Sequence, residues 1–278
     1  MKFTQAIERY KLEKFDKKTL DKDIYHFGLF LPFLGDISLE HITMNELWPF
    51  IIHRSSQGVK NSTINRSLEV VRHTLHLAKD EWLEIVELPK IKLLKESSQR
   101  VRFLTTDEAA RLHSELPSHL KPLVQYALAT GCRKGEILNL EWRRVDLTRK
   151  VAWLEAGTTK NDDARGIPLN RDAIEALQSV RANNFYYVFT YCGEKMNYVG
   201  SAWKKVLKRA RIEDFTFHDL RHTWASWHVM YGTPLYELML LGGCKTMECV
   251  QRYAHLAPEH LARAARRIEG KEKIFKVH

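Results

Sequence analysis

Between Leu88 and Arg102 the apolar periodicity of this 278-residue chain stops. Pro89 interrupts it, and Lys90, Lys92, Lys95, Ser97, Ser98, Gln99 and Arg100 follow as a polar, basic stretch. Such a composition suits an exposed connection, so the chain is expected to fold as two parts. The expected boundaries are residues 1–88 for the first part, 89–102 for the linker and 103–278 for the second. Charge divides at nearly the same place. Residues 1–98 carry 15 basic and 14 acidic side chains, against 29 and 20 in residues 99–278. Nearly all of the formal net charge of +10 therefore belongs to the second part, where a polyanionic partner is expected.

The longest apolar run, Phe27 to Leu34, contains Gly28 and Pro32 and falls far short of the roughly 18 residues of a membrane span. The first residues lack the apolar core of a signal peptide. Cys132, Cys192, Cys244 and Cys249 are scattered with no C-x-x-C pair, which disfavours a disulfide scaffold or zinc module and fits a reducing cytoplasm.

The first part reads as helical. Ile64, Leu68, Val71, Leu75, Ala78 and Trp82 recur at spacings of 4, 3, 4, 3 and 4, one apolar stripe on a helix capped by Ser62. Phe15, Leu20, Ile24, Phe27, Phe30 and Leu34 predict an earlier helix ending near Pro32 or Gly35, and a short one is expected from Met44 to His53. The second part opens with a capping box, Thr105-Thr106-Asp107-Glu108, and its next helix carries Leu123, Tyr126, Ala127 and Thr130 up to Gly131. Strand-like runs at 151–154 and 167–169 predict a hairpin with a long tip over 158–166. Helical patterns return at 172–181, 198–211, 218–231 and 259–268.

Three clusters can carry chemistry. In Thr130-Gly131-Cys132-Arg133-Lys134-Gly135-Glu136, a helical turn beginning at Arg133 puts Glu136 on the same face, able to orient the guanidinium. In His218-Asp219-Leu220-Arg221-His222, helical spacing points His218 and Arg221 the same way. An arginine fork matches phosphate oxygens, and a histidine moves protons near neutral pH. The third, from Leu241-Gly242-Gly243-Cys244 to Arg252-Tyr253-Ala254-His255-Leu256, offers a tyrosine nucleophile. Each alone has a bland explanation in surface ion pairing or core packing.

In this order, the three clusters and a hairpin lysine resemble the tyrosine recombinase (phage integrase) family over most of residues 60–260. The resemblance implies a mainly α fold: a helical core-binding domain, then a mostly helical catalytic domain with a small antiparallel β-sheet, the two forming a clamp around DNA. It implies site-specific strand cleavage and rejoining through a 3′-phosphotyrosyl bond to Tyr253. Arg133 and Arg221 hold the scissile phosphate, with His218 as the proton-handling group, Lys160 as general acid to the 5′-oxygen and Glu136 supporting Arg133. Arg66, Arg72 and Arg102 are the candidates for further DNA contacts. Asp162 and Asp163 share one loop and form no carboxylate set for two magnesium ions, so neither metal nor cofactor is expected.

One position departs from the family pattern. Nine residues before the tyrosine, where the family carries His or Trp, stands Cys244, and a thiol is a weak donor. Reduced but real activity is expected, with Lys245 as a possible substitute donor. The alternatives are a DNA-binding protein of this fold with weakened or lost catalysis, and activity of the type IB topoisomerase kind. The family's further implications are a double-stranded partner carrying a specific site, a monomer off DNA, and a homo-tetramer on it. The tetramer is linked by exchange of the C-terminal helix, through Leu261, Ala264, Ala265 and Ile268. No arm-binding domain is expected ahead of the core-binding domain. A cytoplasmic, bacterial or phage-encoded protein fits.

Overall fold

The computed structural model of the chain describes residues 1–35, 37–96, 101–155 and 164–257, together with 262, 265, 266 and 269. The chain divides into two compact units, Met1–Gln99 and Arg100–His278.

The first unit is built on four helices: α1 (Phe3–Glu13), α2 (Leu20–Leu34), α3 (Met44–Ser56) and α4 (Asn61–Asp80). The expected stripe of α4 is its core face, with Ile64, Leu68, Val71, Leu75 and Ala78 all buried and Trp82 just beyond the helix end. The helix starts one residue before Ser62, with Lys60 at the cap position. Facing α4 are Phe3 and Tyr10 of α1, Phe27 and Phe30 of α2, and Phe50 of α3; the Phe30 and Phe50 rings lie 3.9 Å apart. The end of α2 falls where expected, at Gly35 with φ +40°, and Pro32 sits inside the last turn, near enough to the end to remove little. One expectation fails here. Phe15 lies in the turn before α2 and is exposed.

The expected linker is also shorter than its composition implied. Ile91 is buried in the first unit's core, and Leu94 exchanges two hydrogen bonds with the Asn65 side chain (2.8 and 2.9 Å). The apolar residues between the lysines bind this stretch to α4, as far as Glu96, whose carboxylate accepts from the same Asn65 amide at 2.8 Å.

The second unit begins with α5 (Thr106–Glu115), whose capping box is formed as expected by Thr105 and Glu108. Next come α6 (Lys121–Thr130) and α7 (Lys134–Leu138). A three-stranded antiparallel sheet follows: β1 (Val145–Asp146), β2 (Val151–Leu154) and β3 (Arg165–Pro168), in the order β1-β2-β3. Ala152 faces Ile167 across it, and Leu154 faces Arg165. The remaining elements are α8 (Arg171–Ser179), a small hairpin of β4 (Thr190–Tyr191) and β5 (Glu194–Lys195), then α9 (Gly200–Arg209), α10 (Asp219–Met230), α11 (Leu235–Gly242) and α12 (Glu248–Gln251). The large core joins α5, α6, the sheet, α8 and α9 around Leu123, Tyr126, Leu177 and Phe189. A smaller core of Trp224, Ala225, Val229, Leu238, Val250 and Tyr253 holds α10, α11 and α12 together.

The fold is thus mainly α with small antiparallel sheets. Lys160, Asp162 and Asp163, and Leu261, Ala264 and Ile268 of the expected terminal helix, lie outside the described residues. Among the described residues no helix is long and apolar enough to cross a membrane.

Candidate active site

The site is assembled at the ends of helices. α6 stops because Gly131 takes φ +63°, a left-handed conformation, and because a side chain at this position would overlap the Trp224 ring. The chain restarts at α7 with Arg133 at its cap position. Glu136 closes back on it, accepting from the Arg133 backbone N–H and from Nη1, each at 2.8 Å. The expected pairing is present in this geometry.

Glu136 has a second cationic partner that the sequence did not reveal. Arg165 Nη2 donates to the Glu136 carboxylate at 2.9 Å, and its Nη1 donates to the Leu241 carbonyl at 3.0 Å. Sequence patterning placed Arg165 in the hairpin tip, but it opens β3. From there it ties the sheet to α7 and to the end of α11. Gly243, with φ +60°, makes this possible, since a Cβ there would collide with the Arg165 guanidinium. Burial pushes the Glu136 carboxyl up, but Arg165 and the backbone and side chain of Arg133 outweigh it and hold the group below the usual carboxylate range.

A folded-state pKa held down contributes stability above the unfolded value, lost as pH falls through the folded one. Glu136→Gln is therefore expected to destabilise the unit by about 1.5–3 kcal/mol at neutral pH, the worth of a hydrogen bond to a charged group. Urea melts of parent and variant should converge as the pH is taken below the ordinary Glu pKa of about 4.3. A gap that persists unchanged in acid would remove the charge argument.

Arg221 is held from behind. Nη1 donates to the Gly131 carbonyl and Nη2 to the Gly242 carbonyl, both at 2.7 Å, and Nη2 also reaches Cys244 Sγ at 3.4 Å. Those two carbonyls close α6 and α11, where unpaired C=O groups concentrate negative partial charge. Three of the five donors are used this way among the described residues, which fixes the fork and leaves an edge for an anion. His218 stands at the cap position of α10, in front of the first turn rather than within it, with helical backbone angles.

Tyr253 follows α12 and is 5% exposed, packed in the smaller core. Its phenol meets His222 Nδ1 at 2.5 Å. The His222 ring in turn lies edge-on to His218, centroids 5.2 Å apart. Burial, then His218, Arg252 and Arg221, lower the His222 pKa to about 4 against the opposing pull of Asp219. Burial pushes the Tyr253 phenol up to about 12, with Arg252 and Arg221 pulling the other way. At neutral pH a protonated phenol thus faces a neutral imidazole.

Arg133, His218, Arg221, His222, Cys244, Arg252 and Tyr253 line one cleft of about 160 Å³. At about 30 Å³ per water, that is the space of roughly five waters, the scale of a phosphodiester group. The larger cavities of this unit lie elsewhere. One of about 720 Å³ includes His119, Tyr191 and Cys192, and an apolar one of about 460 Å³ includes Leu112, Trp227 and Tyr231. Neither contains any of these arginines.

The remaining sequence candidates are Arg66, Arg72 and Arg102. In the first unit, Arg66 is 73% exposed and paired with Glu69 at 2.6 Å, and Arg72 is half-buried on the same helix. In the second, Arg102 forms a forked pair with Glu108 at 2.6 and 3.0 Å and lies against the Phe215 ring, so its fork is engaged within the unit.

Comparison with known proteins places the chain within a family. Residues 102–260 match the family described as the phage integrase family. The integrase of Salmonella phage P22 is 35% identical, over 97% of this chain and 80% of its own length. The shufflon-specific DNA recombinase of Escherichia coli is 30% identical, over 92% of this chain and 69% of its own. Among solved structures, the Tn1549 transposon integrase in complex with a circular intermediate DNA superposes with a TM-score of 0.82 at 18% identity, covering 96% of this chain and 99% of that one. The lambda integrase tetramer bound to a Holliday junction superposes with a TM-score of 0.71 at 19% identity, covering 91% and 77%. At those identities the structural likeness establishes the fold.

Proposed function

The chain belongs to the phage integrase family of tyrosine recombinases, and on that premise we propose that its cleft cuts and rejoins one strand of a DNA duplex at a specific site. The observation that carries the reading is the common cleft of Tyr253, Arg133, Arg221 and His218, four side chains drawn from positions 133 to 253 of one chain.

The chemistry follows from the groups. A phosphodiester resists attack because its anionic oxygens repel nucleophiles and its alkoxide leaves poorly. Arg133 and Arg221 neutralise the non-bridging oxygens. Their guanidinium planes are set beforehand, one by Glu136 and one by two helix-end carbonyls, so little reorganisation accompanies the reaction. Tyr253 attacks phosphorus and displaces the 5′-oxygen, leaving a 3′-phosphotyrosyl bond that retains the phosphodiester's energy for rejoining. Lys160 donates the proton to that departing oxygen, and His218 serves the phosphate from the start of α10. Arg66 and Arg72 contribute phosphate contacts from the first unit. The partner is double-stranded DNA, bound with a strong dependence on salt because of the cationic second unit. The assay is incubation with a nicked duplex carrying the cognate site, followed by denaturation. Covalent protein–DNA adducts support the reading, and their absence on a duplex the protein demonstrably binds favours the non-catalytic alternative.

Cys244 stands beside the Arg221 guanidinium. Its thiol offers a weak donor where an imidazole or indole N–H would bind a phosphate oxygen firmly. Cys244→His or Cys244→Trp is therefore expected to raise the rate of adduct formation, and rates no better than the parent's would show that the position is unimportant.

On DNA the functional assembly in this reading is a homo-tetramer whose protomers exchange the segment after Ala257. Truncation before Pro258 should leave single-site binding in place and abolish tetramers on paired sites, measured by sedimentation of the protein–DNA complex. Unchanged tetramers would refute the exchange.

A further inference from the structure

We propose that His222, and not His218, is the group that takes the phenolic proton of Tyr253 as the tyrosine attacks. The proposal deepens the function proposed above and rests on it.

Among the described residues, the hydrogen-bond partner of the Tyr253 phenol is His222 Nδ1, at 2.5 Å. A general base must lie within about 2.6–3.2 Å of the oxygen it serves, and this nitrogen is in contact. His218 meets the pair at the His222 ring, edge to face. The order across the cleft is thus His218, His222, Tyr253. The two rings are one helical turn apart, His218 at the cap position of α10 and His222 within it, and Tyr253 reaches them from beyond α12. Tyr253 is nearly closed to solvent, so a base already in contact with the phenol has the advantage over bulk water.

Protonation states agree with the direction of transfer. The phenol, pushed up to about 12, keeps its proton and donates it, and the imidazole, lowered to about 4, is neutral and accepts in its Nε2–H tautomer. Values so far apart also mean that no phenolate accumulates by simple transfer. The proton moves only as the new oxygen–phosphorus bond draws charge away from the tyrosine oxygen. The bound phosphate assists, because its negative charge counters Arg221 and Arg252, two of the cations that keep His222 neutral.

The Tyr253 O–H bond breaks and its proton passes to His222 Nδ1, while the oxygen's electron pair forms the bond to phosphorus. The bond from phosphorus to the 5′-oxygen breaks, and that oxygen takes a proton from the general acid, Lys160 in the reading above. In rejoining, the 5′-hydroxyl attacks, and the His222 imidazolium returns its proton to the departing tyrosine oxygen.

The experiment measures single-turnover adduct formation by the full chain on a nicked cognate duplex, alongside DNA affinity. His222→Leu is expected to bind DNA as the parent does and to form adducts about 10²–10⁴-fold more slowly, the usual worth of general base catalysis. His222→Asn keeps an acceptor near the Nδ1 position but cannot hold a proton, so it stays at least tenfold slow. For His222→Ala, added imidazole should restore part of the rate. A duplex with sulfur in place of the 5′-bridging oxygen needs no proton on its leaving group. On it the Lys160→Ala defect should vanish and the His222→Leu defect should remain. Parental rates in His222→Leu, full recovery in His222→Asn, or recovery of His222→Leu on the sulfur substrate would each overturn the proposal. If the parent forms no adducts, or Tyr253→Phe still does, the underlying function fails and takes this proposal with it. If only the histidine variants behave like the parent, the function stands and His222 alone is excluded.

Discussion

Tyr253→Phe is expected to bind its duplex like the parent and to form no covalent adduct at all. The substitution removes one oxygen. The ring keeps its place among Trp224, Ala225, Val229, Leu238 and Val250 in the smaller core, so the unit should remain folded. What is lost in stability is the hydrogen bond to His222, about 0.5–1.5 kcal/mol for a neutral pair, readable as a small drop in the urea midpoint. What is lost in chemistry is the only oxygen this account allows to attack phosphorus, so adduct formation should fall below detection. Adducts in the variant at even a few per cent of the parental level would mean that another nucleophile is at work.

The second large effect belongs to Arg221. Arg221→Ala deletes two roles at once. It removes a cation from the scissile phosphate, which typically costs about 10²–10³ in rate. It also leaves the Gly131 and Gly242 carbonyls without their charged donor, at about 1.5–3 kcal/mol for each such bond. Against a domain stability of about 5–15 kcal/mol, that is a substantial fraction. Arg133 separates the two roles, because Glu136 retains Arg165 when Arg133 is removed. Arg133→Ala should therefore lose a similar factor in cleavage with a smaller loss of stability. Thermal melts read beside adduct rates check both. Parental cleavage by a folded Arg221→Ala would sever this guanidinium from the reaction.

Much of this was legible in the chain. The α4 stripe, the Thr105 capping box, the stop at Gly131 and the Arg133–Glu136 pair are all local features, written within a few residues of one another. The order of the three clusters carried the family likeness. What escaped notice depends on distant partners. Arg165 sits among turn-forming residues, and only the folded arrangement brings it to Glu136, 29 residues back, and to Leu241, 76 residues on. The bond between His222 and Tyr253 spans 31 residues with no spacing rule to announce it. Phe15 obeyed the helical spacing but lies in a turn. The stretch from Lys90 to Lys95 looked like solvated linker because its lysines alternate with the apolar residues that bind it to α4.

The central claim is that Tyr253 is the atom source of the protein–DNA bond. The most direct test is to trap the adduct on a nicked duplex, digest protein and DNA, and identify the modified peptide by mass spectrometry. The account predicts a 3′-phosphonucleotide on Tyr253 and nowhere else. A nucleotide carried by any other residue would contradict it.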